Sequence, residues 1–249
     1  MHRVTVAILA ILVLLSYSSL MAQNDDPEDP PSAPLSPEEC NALAQQVVVS
    51  IRPFGGGNGS GVVVSSNGTI YTNRHVVENS DRFLIYVNET PNTPPVLSYI
   101  AVNSGFTSLP YLDFAILQIT QVVEEETDTE IRARPVLYNS LDLPFMPVEL
   151  ADNGSLGSPV SQGDEIVVYG YPGTAQGLLN RTTGEITSIR DSDFGGVSFM
   201  RPFQFNTDAN IAEGNSGGLA VDSECRYIGI PTGGRIPRDP DTGELSGAP

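Results

Sequence analysis

Short runs of β-branched and aromatic residues, punctuated by Gly, Pro, Asn and Asp, recur along most of the chain. Gly61-Val62-Val63-Val64-Ser65 and Thr69-Ile70-Tyr71-Thr72 flank Asn67-Gly68. That dipeptide favours the positive φ angles of a tight two-residue turn, so a hairpin is predicted across residues 59–72. Further strands are predicted at residues 82–87, 96–102, 112–119, 165–170, 184–189, 203–207, 218–221 and 227–230. Helical patterning is confined to the segment opening Ser36-Pro37-Glu38-Glu39, where Ser caps, Pro suits the first helical position and Glu39 completes a capping box ahead of Ala42, Leu43 and Val47. Strands do not alternate with helices, which favours an all-β sandwich or a pair of barrels over βαβ units. The acidic stretch 124–130 and the Pro-broken stretch 135–159 read as an exposed loop and the crossing between two halves, residues 38–150 and 151–249.

The first 22 residues carry a different pattern. His2 and Arg3 precede an apolar run from Val4 to Leu15, and Ala22 offers a small residue for cleavage, the layout of an export signal. The run falls short of a membrane span of roughly 20 residues. Cleavage is the expectation, with an uncleaved anchor reaching Met21 as the alternative. Residues 23–37 are dominated by Pro, Asp, Glu and Ser and read as a flexible linker, because they cannot bury enough apolar surface to offset chain entropy. Exported, the chain would hold Cys40 and Cys225 where a disulfide persists; two separate buried thiols are the other reading. With 30 acidic and 12 basic residues the net charge is -18, a field that repels nucleic acid and anionic lipid. Neither a nucleic-acid partner nor stable membrane association after signal cleavage is expected.

Beyond the leader one histidine remains, His75, just past the predicted strand 69–72. It is the one side-chain type whose unperturbed charge changes near neutral pH. Far downstream lies Gly214-Asn215-Ser216-Gly217-Gly218. Serine hydrolysis needs a hydroxyl on a tight turn, a base for its proton and amide donors facing the developing oxyanion. This loop can supply the hydroxyl of Ser216 and the amides of Gly214 and Ser216 as an oxyanion hole. The acid that orients the base is best sought at Asp113, expected inside the apolar strand run Leu112-Asp113-Phe114-Ala115-Ile116-Leu117, where an unpartnered carboxylate would be costly. Asp81 and Asp142 compete from solvated loops. Gly214-x-Ser216-x-Gly218 also fits the nucleophile elbow of α/β-hydrolases, but those enzymes place a histidine after the serine and none follows Ser216. The order His75, Asp113, Ser216 is that of chymotrypsin-type enzymes.

These residues, with Gly59-Ser60-Gly61-Val62 through Val77, Asp113-Phe114-Ala115-Ile116-Leu117, residues 163–173, Gly184-Glu185-Ile186-Thr187-Ser188 and residues 207–218, resemble a trypsin-fold serine protease of the HtrA-like, or Deg, branch. The resemblance implies two antiparallel six-stranded β-barrels with the triad in the cleft between them. His75 and Asp113 would come from the first barrel and Ser216 from the second. It also implies a pocket base at Asn210, a substrate-pairing strand near Ile230, Thr232 and Gly233, and a secreted or periplasmic endopeptidase that takes protein or peptide substrates and needs no cofactor or metal. Asn210 carries no charge, so cleavage after small or medium uncharged residues is expected. No C-terminal PDZ domain of the kind usual in that branch is expected within the residues up to Pro249, and the branch's last strand and helix are expected to be divergent or cut short, as in a fragment. Two other classes of function stay open: a catalytically inactive protease-like binding module, and an envelope structural or adhesion protein acting through its Pro-rich linker.

Overall fold

The computed structural model describes residues 34–106, 113–127, 129–137, 140–148, 159–173, 177–190 and 204–232. The leader, most of the linker and the residues after Thr232 lie outside these. Helix α1 spans Pro37–Val47 and opens on the expected capping box, with Glu39 N–H donating to Ser36 Oγ at 3.3 Å and Ser36 N–H donating to Glu39 Oε2 at 2.9 Å. Cys40, Ala44 and Val47, spaced at i, i+4 and i+7, form its buried face. The chain passes directly from α1 into strand.

Seven strands build the first sheet: β1 (Val48–Pro53), β2 (Gly59–Ser65), β3 (Thr69–Thr72), β4 (Arg82–Val87), β5 (Val96–Phe106), β6 (Ala115–Glu126) and β7 (Ile131–Pro135). Their order is β3-β2-β1-β4-β5-β6-β7, and an added β3–β6 pairing closes the first six into a barrel. Strand β7 lies outside the closure, paired to β6. The second sheet holds β8 (Glu165–Gly170), β9 (Asn180–Arg190), β10 (Gln204–Thr207), β11 (Leu219–Asp222) and β12 (Tyr227–Gly229) in the order β10-β9-β8-β11-β12. It curls until the Phe205 ring of β10 comes within 3.7 Å of where a side chain on Gly229 of β12 would begin. Five strands, rather than six, make this second half-barrel among the described residues. The all-β, trypsin-like architecture expected from the sequence stands.

Alternation at the shared wall explains how the halves pack. Val49 and Ile51 of β1 and Val63 of β2 point into the barrel, whereas Val48 and Val62 point outward. There they meet Cys40, Ala44 and Val47 of α1, Val167 and Tyr169 of β8, and Leu219 and Val221 of β11. Ile166, Val168 and Ala220 face the other way, into the half-barrel. These strands are apolar on both faces because both are buried, each Val, Leu or Ile contributing about 1.5–3 kcal/mol. Cys40 and Cys225 form a disulfide with a Cα–Cα distance of 5.6 Å, fastening α1 to the turn between β11 and β12. Such a bridge typically contributes about 2–4 kcal/mol.

Three local expectations are corrected, and one strand, β1, had no predicted bounds. Asp113 does not sit within a strand; β6 begins two residues later, at Ala115. Residues 124–126 belong to β6 rather than a loop, and Arg132 and Arg134 of β7 reach across to Glu125 at 2.8 Å and Glu124 at 3.3 Å. Charge pairs therefore replace apolar alternation on this ribbon. The β2–β3 turn has three residues, not two: Gly68 N–H donates to Ser65 O at 3.0 Å, and only Gly68 of the turn has positive φ, +85°. That is a type I turn closed by a glycine bulge rather than a primed two-residue turn. Finally, β1 follows α1 without a break in the apolar pattern, so its start carries no sequence signal of its own.

Candidate active site

Register brings the first pair together. Thr72 of β3 lies opposite Ala115 of β6, so residues just past one strand end meet residues just before the other. Helix α2 (Arg74–Val77) is a single turn anchored by buried Val76 and Val77, and it presents His75 toward Asp113. The carboxylate is gripped twice by that residue. The His75 backbone N–H donates to Asp113 Oδ1 at 3.0 Å, and Nδ1 lies 2.6 Å from Oδ2. An ionised carboxylate only accepts, so Nδ1 carries the hydrogen and Nε2 is left as the basic nitrogen. Thr232 Oγ1 donates a further bond to Oδ2 at 3.1 Å, and the buried Asn73 amide donates to Asp113 O at 2.7 Å.

The pair stays partly in solvent, with side-chain exposures of 44% for His75 and 33% for Asp113. The hydrogen bond to Asp113 raises the imidazole above its ordinary 6.5; burial opposes this, and the charges of Asp113 and Glu78 add to it. For Asp113, burial is the largest single influence and pushes the carboxyl up. The His75 side chain and backbone, the imidazolium charge and the Thr232 hydroxyl together outweigh it, and the net displacement is below the ordinary 3.8.

The second region is the loop Gly214 to Gly218. Ser216 is 3% exposed and Asn215 1%. Its geometry is set almost wholly by main chain. Glu213 O accepts from Gly173 N–H at 3.1 Å and Asn215 O accepts from Gly218 N–H at 3.0 Å. A trans peptide points its N–H opposite to its C=O, so the amides of Gly214 and Ser216 point away from both of those partners. Ser216 O accepts from Ser60 N–H of β2 at 2.8 Å, and Gly217 N–H donates to Pro231 O at 2.9 Å. The loop is thereby bonded to the barrel that carries His75 and Asp113. A side chain on Gly217 would collide with Ser60 O and Thr72 Oγ1.

Of the residues expected to hold substrate, Thr232 turns its hydroxyl onto Asp113, Ile230 packs against the core between the two sheets, and Asn210 is exposed beside buried Ala209. Gly233 lies outside the described residues. Sequence reasoning missed Asn73 and Ser60 as members of this neighbourhood. Both stand inside the runs that carry the family resemblance, and their polar type on an apolar strand end is the signal that was there to read. A groove of about 420 Å³ opens elsewhere, between α1 and the β4–β5 connection, lined by Asn41, Gln45, Asn88 and Glu89. Among the described residues, its lining contains no histidine, serine or cysteine.

Comparison with known proteins agrees with this architecture. A protein from Brucella suis described as a probable periplasmic serine endoprotease, DegP-like, is 28% identical over 184 residues, covering 72% of this chain and 29% of that protein. Mitochondrial serine protease HTRA2 of Bos taurus is 29% identical over 191 residues, covering 74% and 34%. The chain thus spans about a third of the length of these curated relatives. The crystal structure of a serine endoprotease from Yersinia pestis superposes with a TM-score of 0.55 at 23% identity, over 86% of this chain and 61% of that one. Residues 59–230, which include both the His75–Asp113 pair and the Ser216 loop, match the family described as trypsin-like peptidase domain, and to that family this chain belongs.

Proposed function

We propose that the protein is a serine endopeptidase that works through His75, Asp113 and Ser216. His75 Nε2 takes the hydroxyl proton of Ser216 as its Oγ attacks a peptide carbonyl, and Asp113 stabilises the imidazolium that forms. The amides of Gly214 and Ser216 stabilise the oxyanion. His75 then protonates the leaving amine, and water, deprotonated by the same imidazole, releases the acyl group and restores Ser216. The observation that carries this reading is the 2.6 Å bond from His75 Nδ1 to Asp113 Oδ2, which leaves Nε2 as the basic nitrogen and supports its role as base.

The substrate is a protein or peptide, entered after a small or medium uncharged residue facing Asn210 and paired along residues 230–233. The basic, apolar and small-residue order of residues 1–22 supports export, as does the periplasmic relative from Brucella suis. A fluorophosphonate probe is expected to label the full chain, and Ser216→Ala to abolish both labelling and cleavage of an uncharged peptide substrate. In a related triad such a loss amounts to about 10⁶-fold in turnover. Wild-type protein that takes no label, or label that persists in Ser216→Ala, overturns the proposal.

A further inference from the structure

The geometry points to Ser60 as a positioning residue for the oxyanion-binding amides, its hydroxyl latching the peptide that lies between them. The inference rests on the serine-peptidase reading above. Ser60 lies on β2, in the barrel that carries His75 and Asp113, and is wholly buried. Each of its polar groups is used. Its N–H donates to Ser216 O at 2.8 Å and its carbonyl accepts from Thr72 Oγ1 at 2.7 Å. Its hydroxyl accepts from Tyr171 N–H at 2.8 Å and donates to Gly214 O at 2.7 Å.

The order of those last two bonds matters. A hydroxyl has one hydrogen to give. With Tyr171 N–H supplying a donor to the oxygen, the Ser60 hydrogen is directed at Gly214 O. Three successive peptides are then held from outside the loop's own turn or across it. Glu213 O is held by Gly173 N–H, Gly214 O by Ser60 Oγ, and Asn215 O by Gly218 N–H. The first and third of these peptides carry the N–H groups of Gly214 and Ser216. The middle one carries neither, yet its orientation sets the rotation of one amide relative to the other. Gly214 has a φ of +98°, so no side chain of its own restrains the turn there. Glycine permits the sharp approach to Tyr171 and Pro172. Asn215 N–H of that middle peptide donates to Ala212 O at 3.0 Å, and the Ser60 hydroxyl holds its carbonyl end, fixing the rotation that one bond alone would leave. Because the latch starts from the first barrel, it also ties the orientation of the amides to the barrel that positions the base.

The role is testable on the full chain with Ser60→Ala and with Ser60→Cys, which keeps a weak, longer donor in place of the hydroxyl. Ser60→Ala leaves the Ser60 main-chain bonds intact. Turnover on an uncharged peptide anilide is expected to fall by about 10²-fold, the scale of losing one oxyanion donor. KM should stay within about threefold, since the loss is confined to the transition state. Affinity for a peptidyl boronic acid, which mimics the tetrahedral state, should weaken by the same factor as kcat/KM. The acid limb of the pH profile should not move, because nothing touching His75 has changed, and Ser60→Cys should fall between wild type and Ser60→Ala. Turnover of Ser60→Ala within about threefold of wild type overturns the inference, as does a loss matched by KM or accompanied by a shifted acid limb. If Ser60→Ala does not fold, Ser60→Cys carries the test, and wild-type turnover in that variant overturns the latch. Failure of the underlying reading looks different, since wild-type protein itself would then take no fluorophosphonate label.

Discussion

The two regions that meet at the site are held in opposite ways. His75 and Asp113 are half-buried, and side-chain atoms fix them: an imidazole on a carboxylate, with Thr232 and Asn73 around them. The Gly214 to Gly218 loop is buried, and main-chain bonds to Gly173, Ser60 and Pro231 shape it, with the Ser60 hydroxyl on Gly214 O adding a side-chain tie. The difference suits the tasks proposed for them. A base must change charge during each turnover, so it needs solvent nearby and partners whose strength can be tuned. Oxyanion donors must not move while charge develops, and preorganised amides on a rigid loop meet that demand. Changes in the first region should therefore alter how activity depends on pH, and changes in the second should alter turnover alone.

The largest effect is expected for Asp113→Asn. The geometry survives but the preferred tautomer is lost, and in a related triad this costs about 10⁴-fold in kcat. Removing the carboxylate also takes away the main cause that raises His75, so the acid limb of kcat/KM should move to lower pH. In the wild type that limb is expected above 6.5, with activity lost as pH falls through it and the imidazole becomes charged. Stability has the opposite sign. The raised His75 stabilises the fold fully below 6.5 and loses this as pH rises through its folded value; the depressed Asp113 contributes above 3.8 and loses it as pH falls through its own. The melting-temperature gap between wild type and Asp113→Asn should therefore be widest between 3.8 and 6.5 and narrow above that window. An acid limb that stays in place would break the comparison.

Gly217→Ala probes the other region. The added methyl meets Ser60 O and Thr72 Oγ1, and displacing the loop should lower kcat by about 10²- to 10³-fold. The acid limb should stay where it is, as steady-state rates across pH would show. Thr232→Val sharpens the first region more gently. It removes one of the carboxylate's donors but leaves both His75 bonds, so a kcat loss of about tenfold is expected, with labelling by the phosphonate probe retained. Last comes the disulfide. Reducing Cys40–Cys225 should leave kcat unchanged below the melting transition while lowering unfolding free energy by about 2–4 kcal/mol in a denaturant titration.

What the sequence made legible were elements whose cause is local. Residues 82–87 and 165–170 match β4 and β8 residue for residue, because β-branched runs end there at turn residues. The capping box of α1 lies within four consecutive residues, and it formed. The disulfide is the exception: it joins positions 185 apart, and one pair of cysteines allowed a single connectivity while leaving separate thiols as the other reading. What stayed hidden was non-local. Strand β7 gains its place through ion pairs across to Glu124 and Glu125, which no apolar alternation announces. The Ser60 hydroxyl finds its partner 154 positions away, and the Asn73 amide 40 positions away. Residue type singled out His75 and Asp113 as partners, and they pair, yet the strand end that delivers Asp113 became visible only with the β3–β6 register.

The bridge joins Cys40 to Cys225 across a sequence separation of 185, and His75, Asp113 and Ser216 all fall inside the ring it closes. With the proposed endopeptidase activity the protein would be exposed to cuts from its own copies, most of all in exposed connections such as the one between β4 and β5. A single cut anywhere within the ring yields two pieces that cannot drift apart, because the sulfur link still joins them. Self-digestion must strike twice before any part of the site can leave.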